Sequence, residues 1–153
     1  MTGNPGEKKA YKPKPPYSSV EGTETDVFGR LSRNAVFVLL KFYEKFNGFN
    51  RYDLSLTYGE VKSKISNTLF SRSVGELIGF GFIDVRRPGS LKRKCSLYGL
   101  SQRWRKINNN PEKLDQIQEL LSEIEKLKRQ PGSVKKRMKM NELRKKVLKL
   151  GTS

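Results

Sequence analysis

Residues 66–82 read SNTLFSRSVGELIGFGF, and this stretch determines the expected fold of the chain. Four apolar residues recur at the i, i+4, i+7 and i+8 positions of one helical face, namely Phe70, Val74, Leu77 and Ile78. Ser66 can cap the first turn through its hydroxyl, and Gly81 can adopt the left-handed conformation that ends a helix. The sequence therefore predicts an amphipathic helix here, with a strand following from Phe82.

The opposite face of this helix is short, polar or basic, and it carries Asn67, Ser71, Arg72, Gly75 and Glu76. Residues 82–101 follow as FIDVRRPGSLKRKCSLYGLS, which predicts strands over 82–86 and 95–100 around a basic turn. Cys95 falls in the second predicted strand, where it is expected to be a small apolar filler. Helix, strand, basic turn and strand in this order are typical of a recognition helix followed by a wing.

Two further helices are predicted upstream. Ser32 is a suitable cap for a helix over 33–48 that is apolar on nearly all sides, and this helix is expected to form the centre of the core. Residues 54–56 are consistent with a very short strand. Thr57 and Glu60 form a capping box that opens a second helix over 58–65, whose buried side carries Val61 and Ile65.

The two ends of the chain differ from its middle. Residues 1–26 hold four of the seven prolines and are expected to form a flexible tail, whereas residues 27–107 form the predicted winged domain. Residues 108–153 contain two amphipathic segments around a Pro-Gly break, which predicts a helical hairpin. Its apolar stripes must pack on each other, on the winged domain or on a second chain, and the hairpin is expected to be separable from the rest.

The composition excludes several classes of protein. The chain has a net charge of +17, one cysteine and no histidine, so it can form neither an internal disulfide nor a zinc site built on His or paired Cys. No apolar run is long enough to span a bilayer, and no signal-peptide pattern precedes the domain. Scattered acids and the lack of a phosphate-binding loop argue against an enzyme or a bound cofactor. The expectation is a cytoplasmic, non-enzymatic protein.

The positive charge lies mainly in the predicted domain, because residues 27–107 carry 16 basic and 5 acidic residues while the tail is neutral. Such an excess implies a polyanionic partner. We expect double-stranded DNA, with the helix in the major groove and the wing on phosphate or the adjacent minor groove. The residues expected to contact DNA are Lys62, Lys64, Ser66, Asn67, Thr68, Ser71, Arg72, Gly75, Arg86, Arg87, Lys92, Arg93 and Lys94. The basic final helix is interpreted as a solvated face.

A family resemblance supports this interpretation over about half of the chain, from residue 31 to residue 89. The residues that carry it are FNGFN (46–50), LSLTYGEV (54–61), SNTLFSRSVGEL (66–77) and GFIDV (81–85), with YGLS (98–101) after the wing. This pattern resembles the winged helix-turn-helix proteins of phages and mobile elements, and it is similar to the N-terminal domains of phage replication O proteins. The resemblance implies origin binding in replication or operator binding in transcription.

Two alternatives stay open at this point. One is an interaction protein, in which the winged domain and the hairpin bind a partner protein or a second copy of the chain. The other is RNA binding, which a winged domain also supports. The predicted fold class is the same for all three: mainly α with a small β wing, a winged helix-turn-helix followed by a C-terminal helical hairpin.

Overall fold

The computed structural model describes residues 23–90 and 93–152, and the chain in these ranges is mainly helical. The elements are α1 (Asp26–Gly29), α2 (Arg33–Lys45), α3 (Tyr58–Val61), α4 (Asn67–Gly79), β1 (Ile83–Arg87), β2 (Leu97–Leu100), α5 (Trp104–Asn108), α6 (Pro111–Lys128) and α7 (Val134–Thr152). β1 and β2 pair antiparallel in a small sheet. A mainly α structure with a small sheet agrees with the sequence prediction. The predicted tail lies outside the described residues except at its end, where Thr25 caps α1.

The predicted helix starts are confirmed by their capping contacts. The Ser32 hydroxyl accepts from the Ala35 N–H at 3.2 Å, and the Ser66 hydroxyl accepts from the Leu69 N–H at 3.3 Å. The Thr57 N–H donates to the Glu60 carboxylate at 2.7 Å, which closes the predicted capping box. After α4, Gly81 has φ +82°, and a Cβ at this position would lie 2.7 Å from the backbone nitrogen of Trp104. Glycine is therefore required here both for conformation and for space.

Several predicted ends are wrong. α2 ends at Lys45 because Phe46 is extended, and Gly48 lies in the turn that follows. α3 ends at Val61, and a hydrogen-bonded turn on the Val61 carbonyl then buries Ile65 without further helix.

The predicted strands also differ in their ends. The pairing of β1 and β2 shifts register between Val85 and Arg87 and ends at the pair Arg87 and Leu97. Cys95 therefore precedes β2 and is exposed, so its predicted role as an apolar filler is wrong. The predicted strand over 54–56 is reduced to a single bridge between Leu54 and Tyr98.

The centre of the core is formed by α2 packed against α4. The fully buried side chains include Val38, Leu39 and Phe42 of α2 and Leu77 of α4. Just before β1, the Phe82 ring stacks on the Trp104 ring with 6.0 Å between the centroids. The ring of Phe28 meets Phe82 edge-on from the other side. These aromatic contacts fix the start of β1 on the core.

The C-terminal helices form a hairpin, and they pack both on each other and on α4. Gly79, at the end of α4, lies so close to the hairpin that an added Cβ would be 3.2 Å from side-chain atoms of Leu121 and Val147. Buried residues of the hairpin belong to the same hydrophobic core as those of α2 and α4: Leu114, Ile117, Ile124, Leu127, Leu143 and Val147. The core is therefore continuous across the predicted boundary at residues 107 and 108. That the hairpin can be removed without unfolding the rest stays a prediction.

Candidate nucleic-acid interface

α4 has one buried and one exposed face over its first half. Phe70, Val74 and Leu77 are buried, and the hydroxyl of buried Ser73 donates to the Leu69 carbonyl at 2.7 Å. The exposed face carries four residues of the predicted contact set, which are Asn67, Thr68, Ser71 and Arg72. The division into faces predicted from periodicity is thus confirmed for these residues. Gly75, one turn further along, is only half-exposed.

Arg72 is held loosely within α4. Its side chain is 45% exposed, and its Nε lies 3.7 Å from Oε1 of Glu76. The other carboxylate oxygen of Glu76 accepts from the Ser32 N–H at 3.0 Å, which connects α4 to the start of α2. Glu76 is only 12% exposed, but a separation of 3.7 Å is longer than a hydrogen bond, and the carboxylate keeps its hydrogen bond from the Ser32 N–H when Arg72 moves away. The guanidinium can therefore leave Glu76 for a stronger acceptor at small cost.

The turn between α3 and α4 presents two lysines and the helix cap. Lys62 and Lys64 are exposed, as predicted for residues that contact a DNA backbone. Ser66 is exposed too, and its oxygen accepts the capping hydrogen bond, so its clearest role is to fix the start of α4. Behind this turn, the hydrogen bond from the Lys45 ammonium lowers the pKa of Glu60, with smaller effects in the same direction from Thr57, while burial opposes the shift.

The end of β1 and the turn between β1 and β2 carry exposed cations. Arg86, Arg87, Arg93 and Lys94 are all exposed, whereas the predicted contact residue Lys92 lies outside the described residues. The Arg86 guanidinium lies over the Tyr52 ring at 5.0 Å, and Arg87 makes only a long hydrogen bond of 3.5 Å to the Cys95 carbonyl. Among the described residues, the side chains of Arg93 and Lys94 have no ion-pair partner. These two charges are available to an external anion.

In the structure the hairpin lies beside α4, a position that the sequence did not specify. A groove of about 740 Å³ runs along the surface between α4 and the hairpin, and its lining includes Ser71, Arg72 and Gly75. Val85 of β1 lines the same groove. Gly79 was a signal in the sequence for the packing of the hairpin on α4. It lies nine residues after Phe70, so at about 100° per residue it points almost opposite to that buried side chain. A small residue on the outward face of a helix indicates a place where another element approaches.

Arg103, a cation between β2 and α5, is structural. Its side chain is only 14% exposed and pairs with Asp84 of β1. It also donates to the carbonyls of Ile78 and Ile83 at 2.8 and 3.3 Å. This guanidinium therefore joins the end of α4 to β1, and it is not part of a nucleic-acid surface.

Metal-binding clusters and membrane-spanning helices are absent from the described part of the chain. Within residues 23–90 and 93–152, no three His, Cys, Asp or Glu side chains come together in a group that could hold a metal ion. No helix in the same ranges has both the length and the apolar character needed to cross a membrane.

Comparison of the chain with profiles of protein families, with curated proteins and with solved structures finds no match. The winged helix-turn-helix resemblance therefore stays a prediction from sequence.

Proposed function

We propose that this chain is a winged helix-turn-helix protein that binds double-stranded DNA. In this proposal α3, the turn and α4 form the helix-turn-helix, and β1, β2 and their turn form the wing. The observation that carries it is the division of α4, whose apolar face is buried while Asn67, Ser71 and Arg72 project into solvent. Exposed lysines lie just before α4, and exposed cations lie at the end of β1 and in the turn between β1 and β2.

Each part has a distinct role in the proposal. The first half of α4 enters the major groove, where an asparagine suits adenine and an arginine suits guanine. Lys62, Lys64 and the wing cations neutralise backbone phosphates, which gives affinity with little dependence on sequence. Because the hairpin packs on the outward side of Gly79, base contacts are confined to the first two turns of α4. The proposed role is that of a cytoplasmic transcriptional regulator or a replication-initiation protein of phage or mobile-element type.

A second candidate function rests on a different surface. Phe49 is 95% exposed and Tyr52 is 60% exposed in the loop after α2. Hydrogen bonds of the Asn47 and Asn50 side chains hold this loop in place, among them Asn50 Nδ2 to the Lys45 carbonyl at 2.9 Å. Phenylalanine and tyrosine are enriched at protein–protein interfaces, so this loop offers side chains of the kind that such an interface uses. This observation favours an interaction module, which is the alternative to DNA binding.

The test begins with selection of bound duplexes from a random pool by the full chain. A selected consensus supports the proposal, and two-fold symmetry in that consensus would indicate a dimer. A chain that retains no duplex at low salt would contradict the proposal and favour the interaction module.

Arg72→Ala then tests the reading role of α4. It should relax preference at one base position, by about 1–3 kcal/mol of discrimination, with little change in melting temperature. Arg137→Ala is the matched control, because Arg137 is an exposed arginine of α7 without a described side-chain partner. If the Arg72 variant keeps the affinity and selectivity of the parent, α4 does not read bases through this residue. If it loses stability first, its pair with Glu76 is structural.

A further inference from the structure

The groove between α4 and the hairpin exposes apolar surface that residues 23–90 and 93–152 leave uncovered. Its volume of about 740 Å³ lies in the range of small-molecule sites, roughly 300–1,000 Å³. Most of the surface that lines it is apolar. Val85 on β1 and Leu148 on α7 are 45% and 42% exposed, and both lie in this lining. Large side chains left in water on facing elements favour an occupant that covers them.

The same groove carries positive charge that is not neutralised. Its two acids are both engaged: Glu76 contacts Ser32 and Arg72, and Glu125 accepts from Lys128 at 2.7 Å. Arg30 is engaged as well, in an ion pair of 2.9 Å with Asp115. The side chains of three further cations of the lining have no hydrogen bond or ion pair to any described residue, and these are Lys126, Arg129 and Arg144.

We propose that this groove binds a small organic anion, with an apolar body against Val85 and Leu148 and its anionic group on Arg129 and Arg144. Carboxylate, sulfonate and phosphate share the required chemistry. A nucleic-acid backbone fits less well, because it is hydrophilic throughout and leaves the apolar lining in water. The site does not depend on the proposed DNA binding. It does border Ser71 and Arg72, so an occupied groove should compete with any duplex that contacts these residues.

The test uses the full chain and a matched pair of fluorescent probes. Anilinonaphthalene sulfonate has an aromatic body and one anionic group, and N-phenylnaphthylamine has the same body without the charge. The sulfonate probe should bind saturably at one site per chain. The double variant Arg129→Gln and Arg144→Gln should weaken its binding about tenfold, the effect of losing a charge-assisted hydrogen bond, and leave the neutral probe unchanged. Leu148→Asn should weaken the binding of both probes.

Control variants on α7 separate the groove from general charge and hydrophobicity. Lys135→Gln with Lys145→Gln removes two exposed cations of α7 that do not line the groove. Met138→Asn removes a side chain that is 66% exposed on the same helix and also outside the lining. All the substituted side chains are exposed, so the fold should be kept. The proposal is overturned if the control variants weaken the probes as much as the groove variants, or if the groove variants change nothing. Failure of DNA binding would leave these results unaffected.

Discussion

Arg103→Met should destabilise the chain while keeping an unbranched apolar stem in place of the aliphatic part of the arginine. The interactions that this substitution removes are well defined. Arg103 Nε and Nη2 lie 2.7 and 2.6 Å from Oδ1 of Asp84, and Nη2 also donates to the carbonyls of Ile78 and Ile83. The residue lies where α4, β1 and the end of α7 meet, since a Cβ on Gly151 would be 2.5 Å from its Nη1. This side chain thus joins the end of α4 to β1 and lies against the last turn of α7.

The magnitude follows from the burial of the two partners. Removing one member of a fully buried ion pair costs about 3–5 kcal/mol, because the other charge is left without a partner. Arg103 is 14% exposed, but Asp84 is 40% exposed and can turn its carboxylate to water. This solvent access reduces the expected loss to about 2–3 kcal/mol. For a chain of this size, the loss corresponds to a melting temperature lower by about 4–12 °C.

Thermal unfolding followed by circular dichroism measures this directly. Lys106→Met is the matched control, because Lys106 is an exposed cation nearby and is not part of the Arg103 interactions. Asp84→Asn should destabilise less than Arg103→Met, because the arginine keeps its two carbonyl acceptors. The reasoning is refuted if Arg103→Met and Lys106→Met melt within a degree or so of each other.

Three further predictions concern the wing, the capping box and the hairpin. Arg93→Ala with Lys94→Ala should weaken binding to all duplexes alike and lower the salt slope, by about 0.9 for each phosphate that is no longer neutralised; an unchanged slope would show that the wing does not touch DNA. Because Lys45 lowers the pKa of Glu60, the pair stabilises the fold above the ordinary value of 4.5 and this contribution disappears as pH falls through the lowered value. The difference in melting temperature between the parent and Glu60→Gln should therefore be present at neutral pH and vanish in acid, and a difference that is independent of pH would rule out this linkage. A chain ending at Asn109 should keep its helical circular dichroism but melt at a lower temperature than the full chain, because Gly79 and its neighbours lose the hairpin; equal melting temperatures would show that the hairpin contributes nothing to the core.

The sequence by itself determined the local features of this protein. Ser32, Thr57 and Ser66 indicate helix starts because each cap bonds to a backbone N–H within three residues, so no distant contact is needed. The two faces of α4 follow from apolar spacing, and the left-handed Gly81 follows from the end of that spacing. These signals were sufficient for the buried stripe of α4 and for the order of the main helices and strands, but they did not predict the short helices α1 and α5.

Helix and strand ends were decided by tertiary structure. α3 stops at Val61 because a turn already brings Ile65 to the core, although the sequence pattern itself would continue a helix. The start of β2 depends on its partner, and pairing with β1 leaves Cys95 outside the sheet and exposed. Contacts between residues far apart in sequence set the ends of α3 and β2. Neither the apolar periodicity nor the capping residues predict these contacts.

The position of the hairpin is the largest feature of the fold that the sequence did not predict. Its stripes showed that it must bury apolar surface, but three surfaces were able to receive it. In the structure α6 and α7 pack on each other and on the outward side of Gly79, opposite the core face of α4. The burial of Arg103 and its ion pair with Asp84 likewise depend on the packed fold. Such outcomes depend on which distant surfaces meet, because burial is a property of the whole packed chain and not of a residue and its neighbours in sequence.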